Sequence, residues 1–254
     1  RHGGQEAGGQ EGDHSEEARR EEGNRNGEEA RGIPLDRREE DPAGRRMTER
    51  GLFITFEGGD GTGKTTQSAL LTAWLTGRGR TIVHAREPGG TDLGVEVREI
   101  VMHRRGYVAP RAEALLYAAD RAHNVATVVR PALERGDVVI QDRYLDSSVA
   151  YQGAGRVLSM SEVRELSLWA TEGLLPDLTV LLDLDPTVGR ERLDASRTRY
   201  DRLEAEKLDF HTRVRDAYLA LAAAEPERFL VLDATLPVDE LQQRIRDRVS
   251  ELLG

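Results

Sequence analysis

Gly58-Gly-Asp-Gly-Thr-Gly-Lys-Thr65 gathers the residue types that hold phosphate. The spacing Gly58-x4-Gly63-Lys64-Thr65 is that of a P-loop. Gly58, Gly61 and Gly63 let the backbone curl until successive N–H groups converge on phosphate oxygens, with Gly59, Asp60 and Thr62 between them. A helix starting at Lys64 adds its positive end. Lys64 can reach the β- and γ-phosphates, and the Thr65 hydroxyl can ligate Mg²⁺. Thr66 caps the helix or touches a phosphate. The motif points to ATP and a phosphoryl group, and by itself chooses neither acceptor nor activity.

Four further segments carry chemistry. Arg86-Glu-Pro-Gly-Gly-Thr91 is a tight turn led by a guanidinium, suited to a second anion. Tyr117 and Arg121 lie four apart and share a helix face, where an aromatic ring can stack a base beside a phosphate-gripping cation. Asp142-Arg143-Tyr144 offers a carboxylate for Mg²⁺ or its waters and an Arg able to bridge phosphates. In Tyr151-Gln-Gly-Ala-Gly-Arg156, Gln152 has both a donor and an acceptor for a base edge. Each also has a plainer reading as a turn, a half-buried Tyr, a surface ion pair or a polar loop.

These segments need a scaffold, and the hydrophobic pattern supplies one. Short apolar runs at 52–56, 81–84, 137–141, 178–184 and 229–232 read as strands. Helical patterns occupy 64–78, 92–105, 111–135 and 238–253, and Ala114, Leu115, Ala118, Ala122, Val125 and Val129 approximate one face of the third. Alternating strands and helices predict an α/β fold, a parallel sheet covered on both faces. Ligands then sit beyond the carboxyl ends of the strands, where the loops at 57–65, 86–91 and 142–144 all begin.

Composition sets the outer limits. The 254 residues carry a net charge of −10, which argues against sequence-independent nucleic-acid binding. There is no cysteine, so disulfides, thiolate metal sites and a Cys nucleophile are excluded. No apolar run approaches the roughly 20 residues that span a bilayer, so a cytoplasmic protein without membrane contact is expected. Residues 1–47 read as a disordered N-terminal extension: in 1–46 the only aliphatic side chains besides alanine are Ile33 and Leu35, and nine Arg face thirteen Asp plus Glu. That mixture is neither a basic arm nor a signal or transit peptide, and Met47 is the expected start. One domain follows over 48–254.

The strings Phe56-Glu-Gly-x-Asp-Gly-x-Gly-Lys-Thr-Thr66, Arg-Glu-Pro-Gly-Gly-Thr, Asp-Arg-Tyr and Ala-Tyr-Gln-Gly at 150–153 together resemble the thymidylate kinase family. Asp201-Arg-Leu-Glu204, Phe210, Val214-Arg215 and Tyr218-Leu219 resemble its lid and following helix. The resemblance implies a P-loop nucleoside monophosphate kinase fold, with a five-stranded parallel sheet and a short lid near 194–202. It implies ATP + dTMP → ADP + dTDP with Mg²⁺, within dTTP biosynthesis, by a homodimer. Arg86 and Arg121 would hold the dTMP phosphate, and Pro88 would shape that loop. Tyr117 would stack on thymine, with Arg121 and Ser148 at its edge. Tyr151 would lie against the deoxyribose and Gln152 would line the pocket. Asp60 would sit near the 3′-hydroxyl and metal, and Glu57 would brace the loop. Thr65 and Asp142 would serve the metal, and Lys64 and Arg143 the transferring phosphoryl group. Members place a catalytic Arg in the P-loop or in the lid. Gly61 stands at the P-loop position here, so Arg197, or alternatively Arg199, resembles the bacterial lid arginine. Arg192 or Arg190 would pack on adenine, near Asp233-Ala-Thr235. The competing readings are another P-loop nucleoside or nucleotide kinase of the same fold, such as a deoxynucleoside kinase, and a non-catalytic nucleotide-binding module. A GTPase is disfavoured by the absence of an Asn-Lys-x-Asp motif.

Overall fold

The computed structural model describes residues 50–103, 106–196 and 200–254. The expected extension over 1–47 and the lid residues Arg197 and Arg199 lie outside the described residues.

The apolar runs form five strands: β1 (Phe53–Glu57), β2 (Ile82–Arg86), β3 (Val138–Asp142), β4 (Leu178–Asp183) and β5 (Phe229–Asp233). All pairings are parallel, in the order β2-β3-β1-β4-β5. Burial follows that order. β1 is buried throughout, whereas the edge strands β2 and β5 are partly exposed. A strand buried on both faces must be apolar on both, which is why β1, β3 and β4 read as near-continuous hydrophobic runs.

Helices cover the two faces. On one, α1 (Lys64–Thr76) and α9 (Val238–Leu253) bring Leu71, Leu75, Ile245 and Val249 against Ile54, Phe56, Ile140 and Val180. α2 (Asp92–Arg98) starts at Thr91, whose side chain accepts from the Gly94 N–H at 3.0 Å, so the Thr of the second loop is an N-cap. On the opposite face α3 (Pro110–Asn124) continues through a wider π-type turn, Val125–Val129, into α4 (Arg130–Glu134). Pro131 has no N–H and crowds the carbonyl four residues back, and the widened turn accommodates it. α5 (Leu145–Ser148) widens likewise at Val149–Gly155 and leads to α6 (Met160–Ala170). α7 (Pro186–Ser196) and α8 (Leu208–Ala224) follow β4, and Phe210, Val214 and Tyr218 of α8 pack with Leu181 and Tyr151. The segment expected as a lid from Asp194 therefore begins as the last turn of α7.

The expected apolar face of α3 is corrected at Leu115, which is 57% exposed. Ala114, Ala118, Val125 and Val129 are buried as expected, and the buried face of α3 also carries Glu113, Tyr117, Asp120, Arg121 and Asn124. Of these, Tyr117 and Arg121 line the cavity described below.

The chain runs from β1 outward to β2 on one side and later to β4 and β5 on the other. β1 and β3 are neighbours at this switch, and the crevice beyond their carboxyl ends is where the topology places a ligand.

Candidate active site

β1 delivers the P-loop into that crevice. Gly58 has φ 127°, and a Cβ there would lie 2.4 Å from the Leu182 carbonyl oxygen. Gly61 has φ 77°, and a Cβ would lie 2.7 Å from the Gly189 carbonyl oxygen of α7. No side chain fits at 61 without moving that helix, so the arginine that resemblance places either there or in the lid has no room in this P-loop. Thr62 Oγ1 donates to the Gly59 carbonyl at 3.1 Å, which closes the turn. Lys64 folds its ammonium back onto the loop, donating to the Gly58 and Gly59 carbonyls at 3.1 and 2.6 Å. Burial, with Arg143 nearby, lowers its pKa to about 8. Thr65 and Thr66 are exposed, and Thr65 lines the cavity.

β3 delivers Asp142 and Arg143 to the same place. Arg143 holds φ 66°, a left-handed conformation costly for a non-glycine residue. Its N–H donates to Phe56 O at 3.1 Å, stitching the end of β3 to β1. Its guanidinium crosses the P-loop front, 2.7 Å from Asp60, 3.3 Å from Gly58 O and 4.9 Å from the centre of the Tyr151 ring. Burial alone would raise the Asp60 carboxyl, but Arg143 and Lys64 hold it below the usual range. Asp142 Oδ1 is buried, lines the cavity and has no hydrogen-bond partner. Among the described residues no cluster of three His, Cys, Asp or Glu could hold a metal. Mg²⁺ needs no such cage, because one or two protein oxygens and substrate phosphates suffice. The unpartnered Asp142 oxygen and the Thr65 hydroxyl fit that requirement.

Glu57 lies behind the loop and does not line the cavity. It accepts from Tyr144 N at 2.7 Å, Ser147 Oγ at 2.5 Å and Tyr218 OH at 2.8 Å. It ties β1 to α5 and α8.

A cavity of about 500 Å³ runs from the P-loop to the second loop. At its far end stand Arg86 and Arg98. The Arg86 side chain is exposed and has no hydrogen bond or ion pair with a described residue; Arg98 donates to the Pro88 carbonyl at 3.0 Å. Burial and the neighbouring Arg86 lower the Arg98 pKa. Arg98 was not foreseen. The signal was present: Gly94, Val97, Arg98 and Val101 follow helical spacing, a cation on an otherwise small and apolar stripe.

The side wall is built from Tyr117, Arg121, Ser148, Tyr151 and Gln152. Arg121 is 1% exposed and heavily committed, to Glu87 at 2.7 Å, Ser167 Oγ at 3.0 Å, Tyr144 O at 3.1 Å and Ser148 Oγ at 3.0 Å. Glu87 also accepts from Asn124 at 3.1 Å and Gln141 at 2.9 Å. Burial raises its carboxyl despite Arg121. Glu87, from the second loop, is thus a buried anchor. Gln152 donates to Glu113 at 2.9 Å. On the donor side Arg192 donates to Ala234 O at 3.1 Å and Gly61 O at 3.4 Å, spanning from the P-loop to the loop after β5. Arg190 instead turns to Glu204 O and the Tyr200 ring.

Two anion pockets that meet at one arginine suit the movement of a phosphoryl group from one bound molecule to another. With the parallel sheet around them, they place the molecule among the P-loop phosphotransferases with a phosphorylated acceptor. The family model described as thymidylate kinase matches residues 56–245. A thymidylate kinase of Leifsonia xyli subsp. xyli is 75% identical over 199 residues, 78% of this chain and 94% of the relative. One from Clavibacter michiganensis subsp. michiganensis is 70% identical over 204 residues, 80% and 97% of the two chains. One from Deinococcus radiodurans is 56% identical over 202 residues, 80% and 98%. The chain belongs to the thymidylate kinase family.

Proposed function

We propose that the chain transfers the γ-phosphoryl group of ATP to dTMP, giving ADP and dTDP. The observation that carries this is one cavity with the P-loop at one end, the Arg86–Arg98 pair at the other and Arg143 between them. ATP phosphates lie on the P-loop N–H groups and Lys64, with Arg192 beside the adenine. The dTMP phosphate lies against Arg86 and Arg98, its base over Tyr117 and its edge near Arg121, Ser148 and Gln152. Tyr151 backs the deoxyribose, and Asp60 faces the 3′-hydroxyl. An oxygen of the dTMP phosphate attacks the γ-phosphorus as the β,γ-bridging P–O bond breaks, and that electron pair leaves on ADP. The acceptor oxygen is already largely ionised at neutral pH, so positioning and charge neutralisation carry the catalysis, with no strong general base. Arg143 spans both phosphates. Mg²⁺, held by Thr65 and Asp142 with substrate oxygens, would neutralise developing charge on the donor phosphates.

The lid is the remaining part of the proposal, with Arg197 as the arginine finger and Arg199 as the alternative. A homodimer is also proposed. Leu93, Leu115 and Trp169 are exposed on α2, α3 and α6, and α3 packs on both of the other helices, which supports a shared apolar face. Among the described residues no helix is long and apolar enough to cross a membrane. Lys64→Ala tests the chemistry: dTMP-dependent ADP release should disappear while the circular dichroism spectrum is kept. Near-normal turnover would remove the mechanism.

A further inference from the structure

Glu113 is wholly buried in the first turn of α3, and three side chains from distant segments converge on it. Its Oε1 accepts from Gln152 Nε2 at 2.9 Å and from Arg156 Nε at 3.3 Å. Its Oε2 accepts from Arg202 Nη2. The carboxylate is itself fixed, because Arg156 is held by Glu206 at 2.5 Å and Arg202 by the Val101 carbonyl at 2.7 Å.

A carboxylate has no proton to donate, so the group Gln152 turns toward Glu113 must be its NH₂. Gln152 lines the cavity, and its other amide atom, Oε1, has no hydrogen-bond partner among the described residues. We propose that Glu113 is a positioning residue for base selection: it fixes the Gln152 amide with its oxygen toward the pyrimidine. An oxygen there accepts from a ring N3–H, which thymine and uracil possess. Cytosine has a lone pair at N3, and the fixed oxygen would face it acceptor to acceptor. Without Glu113 the amide can turn over and donate to cytosine instead. This inference rests on the dTMP reading above.

The test is Glu113→Gln, which keeps the shape but adds an NH₂ that can donate to either end of Gln152. kcat/KM is measured for dTMP, dUMP and dCMP. The dTMP:dCMP ratio should fall by about tenfold, the worth of one hydrogen bond gained and lost, while dTMP:dUMP stays unchanged. General loosening of the pocket would move both ratios together and would overturn the inference. In a Gln152→Ala background Glu113→Gln should change dTMP:dCMP by less than about twofold, because the two act through one contact. A full additional loss would overturn it. A crystal structure of the wild-type enzyme with dTMP gives a check independent of variant stability. It should place Gln152 Oε1 within hydrogen-bond reach of N3, and Nε2 on the base would contradict the proposal. Absence of any wild-type turnover with dTMP would reject the functional reading and this inference with it. Turnover with discrimination unchanged in Glu113→Gln would reject the inference alone.

Discussion

Glu57 shows how a residue next to the chemistry can work without touching it. It is fully buried, and burial together with the neighbouring Asp146 carboxylate raises its pKa to about 7. In the unfolded chain a Glu ionises near 4.5. Below that value both states are protonated and the contribution of Glu57 to stability is fully present. As pH rises toward 7 the unfolded state loses its proton first, so that contribution declines. Glu57→Gln imitates the protonated form. The fall in unfolding free energy from pH 4.5 to 7 should be shallower in the variant, measured by urea titration, and identical slopes would dismiss the argument. Arg98 makes the complementary case of a residue proposed to touch the substrate. Arg98→Ala should raise KM for dTMP about tenfold or more, the worth of a charge-assisted hydrogen bond, and leave KM for ATP nearly unchanged. Equal changes in both would take Arg98 out of the acceptor site.

At the scale of elements, the site is held by buried polar ties between segments far apart in sequence. Arg228, just before β5, grips Asp146 of α5 at 2.7 and 2.9 Å and Thr179 of β4 at 2.7 Å. Arg228→Met would leave Asp146 buried and unpaired, and should cost about 3–5 kcal/mol in denaturant unfolding. A loss within experimental error would mean that Asp146 finds water instead. The lid makes a kinetic prediction. Arg197→Ala should lower kcat by about 10³ if it is the arginine finger, whereas a change confined to KM for ATP would reassign it to binding. Much of this architecture was legible in the sequence. The strands are apolar runs bounded by Gly and Asp, and Gly58–Thr65 announces its own conformation. The α3 face was legible only in part: Ala114, Ala118, Val125 and Val129 are buried as expected, but periodicity counts apolar positions and could not show that the helix also buries Glu113, Asp120, Arg121 and Asn124. The partners of Arg121 and Glu87 come from other elements, so only the fold brings them together. Arg98 escaped for a related reason: it lies twelve residues beyond Arg86 and returns to it only because α2 folds back from the second loop.

For the whole molecule, the charge distribution explains how an acidic protein attracts two acidic substrates. The net charge is −10, yet Lys64, Arg86, Arg98, Arg121, Arg143 and Arg192 line one cavity. The carboxylates of Asp60, Glu87, Asp142, Asp201 and Glu204 line the same cavity, so its balance is only slightly positive, and any steering of an anion is local to the P-loop and the Arg86–Arg98 end. The sheet order brings the ends of β1 and β3 side by side, and with them the P-loop and Arg143, which we propose act on one phosphoryl group. The central claim is that the acceptor is dTMP, and steady-state ADP release with ATP, Mg²⁺ and a panel of dTMP, dUMP, dCMP, dGMP and thymidine tests it most directly. The account predicts the highest kcat/KM with dTMP, dTDP as product and no turnover of thymidine. Phosphorylation of thymidine without phosphorylation of dTMP, or ATP binding without any dTMP-dependent turnover, would contradict it.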